Sequence, residues 1–156
     1  MAELSAPSHK TARKTGAFWI IAVLGWTALI LFSSTSLAEH WSEQAYTALS
    51  NWLFGGWTLI PGPEHPLHLI ADKGVHVTLF AVFALLLWKA VPDIPRKFGY
   101  VFLAGTILGC GSEFLQSFFP DRDPAWRDVC INSAATALGA LISARLFRSG
   151  SQAEVR

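Results

Sequence analysis

Three pairs of polar side chains interrupt a chain otherwise rich in apolar residues, and each pair has the spacing of one helical face. Asp72 and His76 stand four residues apart, Glu113 and Gln116 three apart, Asp128 and Asn132 four apart, with Lys73, Arg122 and Arg127 beside them. These residue types belong to proton transfer and anion recognition. Imidazole titrates near neutrality and burial raises a carboxyl pKa, so His76 and Glu113 form a candidate proton-transfer pair, with Asp72 orienting His76 from one turn away. The planar forks of Arg122 and Arg127, together with Lys73, suit phosphate or carboxylate, and Asp128 would hold one of the two arginines. Gln116 and Asn132 add amides that serve either a ligand or the contact between helices. No nucleophile is evident, because Ser33, Ser34 and Ser112 lack an elbow-type context.

Two other assignments use the same residues. The cations and the carboxylates Asp72, Glu113, Asp121, Asp123 and Asp128 can neutralise one another as a salt-bridged plug. Such a plug would fix the register of a bundle that binds lipophilic ligands or alters envelope packing. A divalent metal could use Asp72, His76, Glu113 and Asp128, but the adjacent Lys and Arg would repel it. No metal-type cysteine spacing occurs, and no cofactor is expected.

Groups of this kind need rigid elements to hold them. The 156 residues are 52% hydrophobic with seven Trp, and the mean hydropathy is +0.38, values that point to a membrane protein. A helix crossing ~30 Å of hydrocarbon needs about 20 apolar residues, and Ala17–Thr35, Leu67–Val91, Phe98–Phe119 and Asp128–Phe147 come close to that length. The expected fold is all-α, a four-transmembrane-helix bundle spanning residues 16–148, with tails at 1–15 and 149–156. The connections Pro92–Lys97 and Pro120–Arg127 are short, so spans two to four should be consecutive antiparallel neighbours. Trp41, Ala45, Leu49, Trp52 and Leu53 recur at helical spacing and predict a short interfacial helix between spans one and two.

Lys10, Arg13, Lys14, Lys89, Arg96, Lys97, Arg145, Arg148 and Arg156 fall on one side of such a bundle, and only Lys73, Arg122 and Arg127 on the other. The positive-inside rule then makes both termini cytoplasmic. The first span is expected to be retained, although Ser36–Ala38 has the small-x-small form of a signal cleavage site. Scattered basic residues and a net charge of +1 exclude a nucleic-acid stripe. The absence of an internal repeat argues against a transporter. Cys110 and Cys130 lie at depths ~10 Å apart, too far for a bridge, so free thiols are expected.

With this topology the polar pairs converge at one depth, in the outer leaflet. Glu113 lies six residues before Phe119, ~9 Å down the axis, where an ionisable group is costly and marks a functional site. Its face continues through Ser112, Gly109 and Gly105. The face of Asp128 and Asn132 continues through Ala135, Gly139 and Ser143, so spans three and four are expected to meet closely along small residues.

The segments "FSSTS" at 32–36, "DKGVH" at 72–76, "EFLQSFFPDR" at 113–122 and "DVCINSAATALG" at 128–139 together resemble the VanZ-like family of small bacterial membrane proteins. The resemblance covers roughly Phe18–Leu146 and rests on Asp72, Lys73, His76, Glu113, Gln116, Pro120, Arg122, Asp128, Asn132 and Gly139. Ala135 departs from the Gly more usual in the family, a change that bears on packing. The resemblance implies a multi-pass protein of the bacterial cytoplasmic membrane in a cell-envelope setting. Its partners would be a membrane lipid or lipid-linked envelope precursor, and the family's link to teicoplanin resistance adds a lipophilic glycopeptide.

Overall fold

The computed structural model describes the backbone of residues 9–38, 40, 41, 44, 48, 52, 66–120 and 122–153. Side chains are described for residues 16–38, 40, 41, 44, 48, 52, 73–120 and 122–147. Four helices make up the fold: α1 (His9–Ser33), α2 (Pro66–Ala90), α3 (Lys97–Gln116) and α4 (Trp126–Ala153). No strand occurs among the described residues. Each helix contains a stretch long and apolar enough to cross a membrane: Gly16–Ser33, Lys73–Ala90, Lys97–Gln116 and Trp126–Phe147. The expected all-α bundle is therefore the observed one.

The helix ends follow local chemistry. After α2, Pro92 and Pro95 forbid continuation, and Arg96 takes a left-handed φ of 63° to reverse the chain into α3. α3 stops at Gln116, earlier than the apolar run through Phe119 suggests. The Ser117 amide donates to Glu113 and Phe114 carbonyls, Phe119 donates to Gln116 at 2.9 Å, and Pro120 follows. Glu113 is thus three residues, ~4.5 Å, from the end of its helix instead of six. In the segment after α1, His40, Trp41, Gln44, Ala48 and Trp52 are helical and exposed, at intervals that put them on one face, and Trp41 packs edge-on against Phe32. Ala45, Leu49 and Leu53 lie outside the described residues.

Packing departs from a simple chain of neighbours. α4 is the central helix: it packs most extensively on α2 and next on α3, while α2 and α3 meet over a much smaller area. α1 lies along α2, reaches α3 at few points and does not meet α4 among the described residues. One tie is the Trp26 indole Nε1, which donates to the Leu79 carbonyl at 2.8 Å. The apolar core has one cluster of Ile30, Phe80, Phe83 and Ala135, and a second of Ala84, Val101 and Ala140. Leu24, Leu103, Ile107 and Leu146 remain exposed on the outer surface, as lipid-facing side chains do.

Close approach depends on glycine. A Cβ at Gly105 would run into the Thr136 side chain, and one at Gly109 would stand 3.3 Å from Asn132 Cβ, so these two seat α3 on α4. Gly139 serves a different contact: its Cβ would stand 2.5 Å from the Ala81 carbonyl oxygen and 3.0 Å from the Ala81 Cα. The expectation that Gly139 joins spans three and four is corrected, since it seats α4 on α2. The inward line of α4 runs Asn132, Thr136, Ala140 and Ser143, all fully buried. Thr136 and Ser143 satisfy their hydroxyls on carbonyls one turn back, of Asn132 and Gly139, each at 2.8 Å.

Candidate functional site

The polar groups gather at one end of the bundle, where α1 and α3 finish and α2 and α4 begin. Lys73, in the second turn of α2, reaches across to α4 and donates to Asp128 Oδ2 at 2.7 Å. Asp128 is nearly fully buried. Its other oxygen, Oδ1, has Arg127 Nε at 3.6 Å, outside hydrogen-bond range, and the Arg127 side chain is 71% exposed. The sequence assigned Asp128 to an arginine, and Arg127 does stand within ion-pair distance of Oδ1; the hydrogen-bonded cation, not foreseen, is Lys73, because α2 lies against the first turn of α4.

Glu113 is buried by protein, at 6% exposure. The segment after α3 folds back over it, and the Ala125 amide donates to Glu113 Oε2 at 3.0 Å. Ala125 precedes the first residue of α4, and its carbonyl accepts from the Asp128 amide at 2.8 Å, so it is the N-cap. A capping box would satisfy the N-cap amide with an acidic side chain at the third helical position, here Asp128. Asp128 is engaged by Lys73, and Glu113 from the neighbouring helix takes its place. Both carboxylates stand at the positive end of the α4 dipole. His76, Lys73 and Asp128 are the electrostatic neighbours of Glu113.

Arg122 ties this loop to α1, its Nη2 donating to the Ser33 carbonyl oxygen. Burial pulls the guanidinium's pKa down from its ordinary value, the direction expected when a cation leaves water, and the group remains charged. Asp123 is exposed, while Asp121 and the side chain of Asp72 lie outside the described residues. The expected contact of Asp72 with His76 therefore falls outside them as well.

The three serine hydroxyls are each turned to their own helix. Ser33 and Ser34 donate to the Ile30 carbonyl at 2.7 and 3.2 Å, and Ser112 to the Gly109 carbonyl at 2.9 Å. None donates to His76 or Glu113. Among the described residues no cluster of three metal-ligating side chains forms. Cys110 and Cys130 are free and exposed, as their depths predict.

Beneath the ion pair, several buried polar atoms lack a protein partner: Glu113 Oε1, Asp128 Oδ1, His76 Nδ1, and both amide atoms of the fully buried Asn132. Gln116, one turn beyond Glu113 on α3, is also buried. Helical spacing puts Asn132 one turn, ~6 Å, below Asp128. It faces Gly109, where Phe80 closes the space from α2, its ring 3.7 Å from the glycine's Cβ position. The structure thus brings together Lys73, His76, Glu113 and Asp128, sets Asn132 one turn further in, holds Gln116 buried and Arg122 on the Ser33 carbonyl at the same end of the bundle, and leaves Arg127 at the rim. Thr136, missed in the sequence, is the residue on which α3 seats; it lies four residues beyond Asn132, and that interval was the available signal.

No curated protein and no solved structure gives a significant match. The family model for VanZ/LLP1 matches residues 18–148, a span that holds all four membrane-crossing stretches except the first two residues of α1's. With that match over most of its length, and with the motif residues of three helices meeting at one end, this multi-pass membrane protein belongs to the VanZ/LLP1 family.

Proposed function

We propose that the polar cluster is an outer-leaflet binding site for an anionic, lipid-linked component of the cell envelope, in a protein of the bacterial cytoplasmic membrane with both termini cytoplasmic. The observation that carries this reading is the set of buried polar atoms without a hydrogen bond on Glu113, Asp128, His76 and Asn132, at the end of the bundle where Lys73 and Arg122 also lie. A buried polar atom without a partner costs ~1–3 kcal/mol, and several in one place make a ligand or ordered water the natural complement. Lys73 and Arg122 supply the charge for a phosphate, and Arg127 at the rim supplies the long-range attraction. Any proton transfer on a bound ligand would run through His76 and Glu113. The family's association with teicoplanin makes a lipophilic glycopeptide, or the precursor such a compound engages, a reasonable ligand class.

The salt-bridged plug has its own support in the Lys73–Asp128 pair and the Glu113 contact to Ala125. Those contacts, with Arg127 at 3.6 Å from Asp128 Oδ1, leave Glu113 Oε1, His76 Nδ1 and the Asn132 amide without a hydrogen bond. The test is a lipid titration of the purified chain, read by native mass spectrometry from detergent micelles. Preferential retention of an anionic lipid over phosphatidylcholine, weakened by Arg122→Gln, supports the site. Equal retention of both lipids by the unaltered chain leaves the plug as the better account.

A further inference from the structure

The hydrogen-bonding inventory of the unpartnered atoms says more than that something binds. Ionised Glu113 Oε1 and Asp128 Oδ1 can only accept, Asn132 Oδ1 accepts and its Nδ2 donates, and His76 Nδ1 does either according to tautomer. Asn132 is fully buried, and Glu113 and Asp128 are 6% and 4% exposed. A phosphate oxygen cannot occupy such a place, because it brings acceptors to acceptors and a negative charge to two carboxylates. The group that fits must donate several hydrogen bonds and accept at least one. Two adjacent hydroxyls do both, each donating one bond and accepting others. An ammonium would also donate, but Lys73 already neutralises Asp128 at 2.7 Å and is an electrostatic neighbour of Glu113, so a further cation would be repelled.

Position along the helices separates two parts of one site. Lys73 and Arg127 flank Asp128 at the end of the bundle, and the Asn132 amide lies one helical turn further in, against Gly109 and Phe80. We infer that this inner part selects a polyol headgroup, with vicinal hydroxyls of a glycerol or a sugar on Glu113, Asp128 and Asn132, while the adjoining phosphate stays with the outer cations. This inference rests on the lipid-site reading above and narrows its ligand class to hydroxyl-bearing phospholipids.

The experiment compares headgroups on identical acyl chains, using the full chain in dodecyl maltoside and native mass spectrometry to obtain relative affinities. Phosphatidylglycerol carries glycerol hydroxyls, phosphatidylinositol carries ring hydroxyls, phosphatidic acid carries phosphate alone, phosphatidylethanolamine an ammonium, and phosphatidylcholine none of these donors. Phosphatidylglycerol or phosphatidylinositol is expected to bind at least about tenfold tighter than phosphatidic acid, because each hydroxyl pairs a buried atom otherwise left unsatisfied. Whichever of the two is stronger distinguishes glycerol from sugar. Asn132→Leu, which removes the unpartnered amide, is expected to bring phosphatidylglycerol and phosphatidylinositol down to the level of phosphatidic acid. Arg122→Gln should weaken all anionic lipids alike and keep the ratio. Equal binding of phosphatidic acid and phosphatidylglycerol by the unaltered chain overturns hydroxyl recognition and leaves the anionic site standing. A preference for phosphatidylethanolamine overturns it in favour of an ammonium. Failure of every anionic lipid to exceed phosphatidylcholine brings down both this inference and the reading beneath it.

Discussion

Replacing Glu113 separates the structural from the ligand-binding role of this carboxylate. Its Oε2 accepts the N-cap amide of α4 at 3.0 Å, and its Oε1 has no protein partner. In Glu113→Gln the amide oxygen can keep the Ala125 bond as a neutral one, worth ~0.5–1.5 kcal/mol in place of ~1.5–3 for a charged acceptor. A further ~0.3–1 kcal/mol of helix-dipole stabilisation is lost. Relief from burying a charge offsets part of both, so the expected net loss is about 1 kcal/mol. Glu113→Ala leaves the Ala125 amide without an acceptor and empties a buried position, for an expected loss of ~2–4 kcal/mol. Unfolding by SDS titrated into dodecyl maltoside micelles measures both. The Gln variant also puts an NH2 donor where Oε1 accepted, and its phosphatidylglycerol affinity should fall at least about tenfold. A Gln variant destabilised by ~3–5 kcal/mol would refute this reasoning, since that loss belongs to a stranded partner of a buried ion pair. A stable Gln variant with undiminished lipid binding would remove Glu113 from the site.

Other perturbations test the frame around it. In a double-mutant cycle of Lys73→Met and Asp128→Asn, the 2.7 Å pair should show a coupling of ~1–3 kcal/mol, with most of the loss already present in the Lys73 single variant because it leaves a buried carboxylate behind. Gly139→Ala forces a methyl to 2.5 Å from the Ala81 carbonyl oxygen and should cost ~1–3 kcal/mol. Gly111→Ala meets nothing within 4 Å and should be neutral or stabilising by up to ~1 kcal/mol; both are read in the same SDS titration. A reporter fused after Arg148 should register as cytoplasmic and one inserted at Gly62 as external, and the reverse pattern would place the polar cluster at the inner face.

The four spans and the convergence of the polar pairs were legible because apolar run length and short antiparallel connections determine which helix ends share a depth. Rotation about each helix axis was not legible in the same way. Asp128 and Gly139 lie on one helix within a single apolar pattern, and only packing decides that both address α2 while Thr136 and Asn132 address α3. The end of α3 was misread because Phe118 and Phe119 are as apolar as the helix before them; Pro120 was the better stop signal. The role of Glu113 was half legible: its burial was expected, but its partner is a backbone amide, which carries no residue-type signature.

The contacts that build the site differ greatly in how far they reach along the chain, and that sets an order in time. The Glu113–Ala125 bond spans 12 residues and can close as soon as α3 and α4 stand side by side. The Lys73–Asp128 pair spans 55 residues and the Arg122–Ser33 contact 89, so both wait for earlier spans already in the lipid. Before α4 arrives, α2 and α3 share little surface and α1 leans on α2 alone for most of its length. α4, made after the other three, is therefore the span that consolidates them. Until it inserts, Lys73 stands without the Asp128 carboxylate, and the other three helices lack most of the surface that holds them together.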